Sequence, residues 1–337
     1  LLFAQAGDEM SGPAGLHPLV VVAGPTCSGK SALALSIARA VGGEIVNCDS
    51  LQIYRGLDIG TAKTPPEERG GVPHHLFDLL EPQEVFSAGA YARLARSVLA
   101  GIRRRGRVPV VAGGTGFYLR ALLEGLAEAP PRDDALRARL LDRENRRRGS
   151  LHRILRRLDP ATAARIHPND LHKTVRALEI CLRARQPASQ LFAEGARPLA
   201  GFRTLKLGLC PPRPLLVERI RQRTEKMFAA GLLGEVQRLL DAGVPRDAKA
   251  FESIGYKEAL ACLEGRLSLE QAMELAVIAT RQYAKRQMTW FRKEAGIEWI
   301  EGFGDDPEVV REAVARVEKF LAEFPQVNRT FPGRETS

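Results

Sequence analysis

No run of about 18 apolar residues occurs in the 337-residue chain, which excludes a membrane-spanning helix. Cysteine is scarce and scattered: Cys27, Cys48, Cys181, Cys210 and Cys262, with no C-x-x-C pair. An odd, dispersed set excludes a disulfide framework and a zinc site read from spacing, and points to a reducing, cytoplasmic setting. Self-similarity at a period of about 20–50 residues is also missing, which excludes a solenoid or propeller. Residues 1–10 lack a basic leader and are too short for a secretory signal. They read as an upstream extension, with Met10 as the start. Residues 1–17 are expected to be disordered, and 326–337, rich in Pro, Gly and polar residues, to form a flexible tail.

What remains is a globular composition, 45% hydrophobic and 27% charged, long enough for one large domain or two smaller ones. The 50 Lys and Arg exceed the 40 Asp and Glu by ten. Such an excess suits an acidic partner, although solubility alone would also account for it.

Short β-branched runs alternate with Ala/Leu-rich amphipathic stretches at Leu19–Ala23, Glu44–Asn47, His75–Leu80 and Val108–Ala112, and two later runs, Leu205–Leu209 and Ile297–Ile300, can rejoin the same sheet. This alternation predicts βαβ units and an α/β fold with a parallel sheet, whose ligands sit at the carboxyl ends of the strands. Between the two groups the character changes. Arg132–Arg157 holds ten Arg against four acids, six of the ten net charges, and helical spacing continues to about Arg185. The expected organisation is a core of residues 18–130 and 201–325 interrupted by a helical insertion, 131–200.

Gly24-Pro25-Thr26-Cys27-Ser28-Gly29-Lys30-Ser31 fits G-x-x-x-x-G-K-[ST], after the run Leu19–Val22 and before the helical stretch Ala32–Val41. The glycines let backbone N–H groups wrap a phosphate, and the helix N-terminus adds positive potential. Lys30 then balances charge on a distal phosphate, and Ser31 can hold Mg²⁺. The motif specifies a polyphosphate without naming it. Asp49, at the end of the second strand, suits a magnesium ligand, a general base or the N-cap of a following helix.

Asp49-Ser50-Leu51-Gln52-Ile53-Tyr54-Arg55-Gly56-Leu57-Asp58-Ile59-Gly60-Thr61-Ala62-Lys63 closely resembles the tRNA dimethylallyltransferases. So do Gly113–Tyr118, Ile166–Asp170 and Lys285–Arg292, in family order, and the likeness runs from about Pro18 to Trp299. The resemblance implies a P-loop NTPase-like core that holds dimethylallyl diphosphate rather than a nucleoside triphosphate. It implies transfer of the dimethylallyl group to the exocyclic amine of the adenosine beside the tRNA anticodon, with the insertion gripping the anticodon stem-loop. By the same resemblance Asp49 is the base, Thr115 lies near the acceptor, and Lys30, Arg223 and Mg²⁺ at Ser31 stabilise the diphosphate. The tRNA-contacting positions it implies are Asp49, Ser50, Leu51, Gln52, Thr115, Arg137, His172, Lys173, Thr174, Val175, Arg176, Lys285, Arg286, Gln287, Met288, Thr289, Trp290, Phe291 and Arg292. No obligate protein partner is implied, and a monomer suffices for one RNA.

The residues alone leave blander readings open. Arg223 reads as a solvated helix charge, and Gly113-Gly114-Thr115 as a turn with a helix cap. On a helix, Arg281, Lys285, Met288 and Arg292 form one stripe, and Thr280–Lys293 holds no acid; such a stripe can be a solvated face. Cys27 stands where many relatives carry Ala, His172-Lys173-Thr174 replaces a segment that often starts Gln-Arg, and a C-terminal Cys/His pair is lacking, as in the short bacterial form. Rival functions are an isopentenyltransferase acting on free adenine nucleotides, a P-loop kinase of a small metabolite, and a non-catalytic RNA-binding protein switched by nucleotide.

Overall fold

The computed structural model describes residues 15–127, 129–193, 195–325 and 327. Of the expected disordered segment 1–17, residues 1–14 lie outside them and 15–17 do not fit the expectation, since His17 already pairs in the sheet; most of the expected tail, 326 and 328–337, also lies outside. Contacts divide the chain into two compact units, one formed by residues 1–122 and 200–337 and the other by Leu123–Leu199, against the 131–200 read from the sequence.

Among its described residues the first unit is built on six parallel strands: β1 His17–Ala23, β2 Glu44–Asn47, β3 His74–His75, β4 Pro109–Ala112, β5 Phe202–Cys210 and β6 Ile297–Glu301. Their spatial order is β3-β2-β4-β1-β5-β6. β1 is buried along its whole length, so it reads as a continuous apolar run rather than an alternating one. Its ladder with β4 begins at Val20↔Val110, and the ladder with β5 extends from His17↔Phe202 to Ala23↔Gly208. Pro18 therefore sits below the reach of β4, where a missing N–H is tolerated.

Helices cover the sheet. α1, Lys30–Val41, buries Leu33, Ala34, Ile37, Ala38 and Val41, a stripe at helical spacing. α2, Ala88–Arg104, is capped by Ser87, whose side chain accepts from the Ala90 N–H, and α3 runs Gly116–Leu123. The second unit holds α4 Asp134–Arg146, α5 Ser150–Leu158, α6 Pro160–Arg165, α7 Leu171–Ala184 and α8 Ala188–Ala193, with no strand among its described residues. Leu140, Leu151, Leu155, Val175, Leu178 and Ile180 supply its core. The first unit resumes with α9 Arg213–Ala229, α10 Leu232–Asp241, α11 Tyr256–Leu263, α12 Leu269–Phe291 and α13 Pro307–Leu321. Among the described residues no helix is long and apolar enough to cross a membrane.

The run His75–Leu80 departs from expectation. Pairing stops after His75, because Leu76 and Asp78 take left-handed φ of 65° and 53°. Other partners satisfy what a ladder would have held: Asn47 Nδ2 donates to the Leu76 carbonyl at 2.9 Å and the Leu79 N–H to the Ile53 carbonyl at 2.8 Å, while Lys63 Nζ pairs with the Asp78 carboxylate at 2.5 Å. Leu80 retains only an isolated bridge to Tyr54.

Candidate active site

The carboxyl ends of β1, β2 and β4 deliver three loops to one place in the first unit. β1 passes into Gly24–Ser31, which turns back on Pro25: its carbonyl accepts from Ser28 Oγ at 2.8 Å and Lys30 Nζ at 2.5 Å. Gly29, in left-handed conformation at φ 84°, caps α1. Gly304, in the loop after β6, donates its N–H to the Ser28 carbonyl at 2.8 Å, while Arg219 forks onto Asp305 beside it. The P-loop is thus braced from outside.

Burial holds the Lys30 ammonium down to about 8, opposed by the charges of Asp49 and Cys27 and reinforced by Arg223. A depressed lysine in a loop of this shape is prepared for an anion, whose arrival would raise its pKa again. Cys27, at φ 63°, packs against Leu216, Ile220, Val277, Ala284 and Phe303. Arg223, on α9, points Nη1 at Cys27 Sγ (3.6 Å) and Nη2 at the Thr61 carbonyl (3.3 Å), so it faces the loop instead of solvent. Gln52 Nε2 shares the Thr61 carbonyl at 3.1 Å.

β2 and β4 pair at Asn47↔Ala112, which sets Asp49 and Thr115 side by side just beyond the ladder. No helix follows Asp49. Its N–H donates to Asn47 Oδ1, and its Oδ1 accepts from the Leu51 N–H, both at 2.9 Å, so the N-cap reading gives way to an Asx turn. Thr115 Oγ1 accepts from the Ser50 N–H at 3.1 Å, tying the two turns together. Gly113 permits this approach, since a Cβ there would stand 2.1 Å from the Cys48 carbonyl oxygen. Behind the turn, Tyr91 donates to the Asn47 carbonyl at 2.9 Å and stacks on Tyr118 with ring centroids 4.5 Å apart.

α12 brings a further set. Gln287 is buried, its Oε1 accepting from the Thr26 N–H at 2.7 Å and its Nε2 donating to the Gly114 carbonyl at 2.8 Å. Burial pushes the Tyr283 phenol up to about 12, helped by the charge of Asp49 and opposed by Thr115 and Gln287. Arg281, Lys285, Arg286, Thr289 and Arg292 are exposed on the same helix, Met288 is half-buried, and Phe291 is buried. Lys285, Arg286, Thr289 and Trp290 line a cleft of about 620 Å³ with Arg120, Gln282 and Lys293, and the Arg120 guanidinium lies over Trp290 at 4.4 Å. An RNA contact through the side chains of Gln287 or Phe291 is corrected by their burial.

In the second unit, considered by itself, Arg137 forks onto the buried Glu179 at 2.8 and 2.7 Å, and Arg176 pairs with the same carboxylate. Burial works to raise the Glu179 pKa, but Arg137, the Asp133 N–H and Arg176 overcome it and hold the carboxyl at about 2. Thr174 and Val175 are buried in the core, which corrects the expected RNA contact through their side chains; His172 and Lys173 are exposed on the first turn of α7. Arg139, Arg143, Arg147, Arg148 and Arg153 are exposed as well.

Sequence reading missed Tyr283, Tyr91 and Glu235. Glu235, on α10, accepts from the backbone N–H groups of Asp58, Ile59 and Gly60 and from Tyr256 Oη at 2.5 Å, which fixes the loop that presents Thr61. The spacing of Tyr283, Gln287 and Trp290 at i, i+4 and i+7 was the available signal for an inward stripe on α12.

The site can bind a polyanion at Lys30 and Arg223, and it holds a carboxylate and a hydroxyl beside that anion. Ser31, exposed in the first turn of α1, offers a hydroxyl oxygen suited to Mg²⁺ together with phosphate oxygens and water. Among the described residues no group of three or more His, Cys, Asp or Glu side chains is arranged to hold a metal.

Comparison with known proteins places this site in a wider set. Residues 52–294 match the family model described as IPP transferase. The chain is 57% identical over 306 residues to the tRNA dimethylallyltransferase of Solibacter usitatus (strain Ellin6076), covering 91% of this chain and 100% of that one. It is 53% identical over 297 residues to the protein of the same name from Koribacter versatilis (strain Ellin345), covering 88% and 96%. Among solved structures it resembles the tRNA isopentenylpyrophosphate transferase of Bacillus halodurans, with a TM-score of 0.66, 36% identity, and 91% and 97% of the two chains covered. A eukaryotic dimethylallyltransferase acting on tRNA matches with a TM-score of 0.78, 29% identity, and 94% and 82% covered.

Proposed function

Since the chain belongs to the IPP transferase family, with the P-loop NTPase-like fold, we propose that it transfers a dimethylallyl group from dimethylallyl diphosphate to tRNA. The acceptor is the exocyclic N6 amine of the adenosine beside the anticodon, and diphosphate is released. The observation that carries the reading is the convergence of Lys30, Arg223, Asp49 and Thr115 on the P-loop.

The P-loop amides, Lys30 and Arg223 bind the diphosphate and stabilise the charge that grows on it as the allylic carbon–oxygen bond breaks. Mg²⁺ held by Ser31 and the diphosphate oxygens would add charge neutralisation to the leaving group when bound. An aromatic amine is a weak nucleophile. Asp49 accepts a hydrogen bond from it and takes the proton released as nitrogen bonds to carbon, while Thr115 holds the Asp49 turn through Ser50.

The acceptor base must leave its stack, at a cost of a few kcal/mol that a single-stranded loop lowers. The exposed cations of α12 and of the helical insertion suit such a loop, and a mononucleotide would need neither. We assign the stem-loop contact to His172, Lys173 and the exposed arginines of residues 131–200, and to Lys285, Arg286 and Arg292. A monomer in the cytoplasm meets these needs.

Radiolabelled dimethylallyl diphosphate, Mg²⁺ and either unmodified tRNA or AMP test the reading. Label in tRNA is the expected result. Label in AMP but not in tRNA would reassign the acceptor, and label in neither would overturn the proposal.

A further inference from the structure

Gln287 sits on the helix that carries the exposed cations Arg281, Lys285 and Arg292, yet its own side chain is only 5% exposed. Its planar amide is matched on both sides. The oxygen takes the Thr26 N–H of the P-loop at 2.7 Å, and the nitrogen serves the Gly114 carbonyl, one residue before Thr115, at 2.8 Å. The fit is built into both partners, because a Cβ at Gly114 would stand 2.2 Å from Gln287 Nε2. An RNA contact that turned this amide outward would give up both bonds and leave the Thr26 N–H and the Gly114 carbonyl without their side-chain partner.

We infer that Gln287 is a positioning residue that sets the P-loop against the Thr115 turn, and not an RNA contact. The inference rests on the transferase reading. It deepens that reading by naming what fixes the separation between the two reactants. The P-loop holds the leaving diphosphate, and the Thr115 turn holds Asp49 through the Ser50 N–H. Beyond the β1–β4 ladder, which fixes the bases of the two loops, the acceptor amine therefore meets the allylic carbon at a distance tuned by one side chain that spans both. Such distances decide rate more than affinity, since a displacement of ~1 Å can cost roughly a hundredfold.

The test uses Gln287→Leu, which shortens the side chain by one atom and removes both hydrogen bonds, in the full-length protein. At saturating tRNA, kcat should fall about a hundredfold. Affinity for inorganic diphosphate at neutral pH should fall about tenfold, as the loop loses its anchor at Thr26. Affinity for tRNA, and its salt dependence, should stay within about twofold, because no phosphate contact is lost. A second arm guards against a variant that is merely misfolded. Gly114→Ala should damage transfer severely in the wild-type background, where the methyl meets Gln287, and add little in the Gln287→Ala background, where that contact is gone.

A loss of tRNA affinity that accounts for the lost activity would overturn the inference in favour of an RNA contact. So would an unchanged kcat, or additive Gly114 and Gln287 effects. A wild-type protein that transfers no label would sink the transferase reading instead. The inference is then decided by binding alone: inorganic diphosphate affinity that is unchanged in Gln287→Leu refutes it.

Discussion

Binding of dimethylallyl diphosphate should draw a proton from solution at alkaline pH, because Lys30 enters the complex from a depressed pKa. Burial holds that ammonium at about 8 against an ordinary 10.5, a gap worth ~3 kcal/mol at ~1.4 kcal/mol per unit. In the unfolded chain the same group keeps its proton to about pH 10. Between about pH 8 and 10.5 the unfolded state therefore holds more protons, so the Lys30 contribution to stability rises with pH there and is flat below. Lys30→Met should accordingly stabilise the free protein more at about pH 7 than above about pH 10.5, by up to ~3 kcal/mol less the roughly 1 kcal/mol lost with the hydrogen bond to the Pro25 carbonyl, and abolish diphosphate binding.

The ligand reverses the penalty. A diphosphate ester is fully ionised well above about pH 6, so any proton taken up belongs to the protein. With Lys30 at about 8, uptake should be ~0.1 proton at about pH 7 and ~0.9 at about pH 9, and affinity should fall roughly tenfold per pH unit above 8. Calorimetric titration in two buffers of different ionisation enthalpy counts these protons. Uptake below ~0.3 proton at about pH 9 would refute the reasoning, as would a Lys30→Met protein less stable than wild type at neutral pH.

Asp49→Asn should lower kcat by at least about a hundredfold while leaving tRNA affinity intact, read by single-turnover transfer and filter binding; parallel losses would make Asp49 structural. Arg292→Ala should weaken tRNA binding and reduce the slope of log K against log salt by about 0.9, and an unchanged slope would contradict a phosphate contact. Arg137→Ala, which leaves Glu179 with a single arginine partner, should cost ~3 kcal/mol by denaturant titration. Because Glu179 is held near 2, its stabilisation is present above about pH 4.5 and lost as pH falls towards 2, so Glu179→Gln should flatten the acid limb of thermal unfolding. Cys27→Gly should retain transfer, as a left-handed φ of 63° suits glycine, and should remove sensitivity to thiol alkylation.

Much of this was legible in the residues. The strands at Leu19 and Glu44 were marked by β-branched residues because interior strands of a parallel sheet are buried on both faces and leave no alternation to misread, whereas β5 was marked by Leu205, Leu207 and Leu209 at alternate positions. The P-loop was marked by spacing that only one local geometry satisfies. The stretch after His75 failed for the opposite reason: its apolar pattern suits a strand, but Asn47 and Lys63, distant in sequence, bond the chain into a turn. The RNA-facing set was overdrawn wherever a contiguous block was taken whole. A helix shows about one face to a partner, so Thr174, Val175, Gln287 and Phe291 point inward while their neighbours remain exposed. Glu235 carried no local signal, since its backbone partners at Asp58, Ile59 and Gly60 lie about 175 residues away and only tertiary folding brings them together.

The ladder between β1 and β5 has a consequence for synthesis on the ribosome. β1 pairs with β4 on one side, but its other side waits for Phe202–Cys210, about 185 residues downstream of its own start. At ~5–20 residues per second, roughly 5–20 s separate the emergence of β4 from that of β5. Throughout that interval a nascent chain that has aligned β2, β4 and β1 presents β1, with its apolar run Leu19–Ala23, as a free edge. Leu123–Leu199, a unit with its own core, is made in the meantime and can fold first. The protein therefore carries its exposure to aggregation in a fixed stretch of translation, ending only when the second half of the sheet arrives to close over the strand that leads into the P-loop.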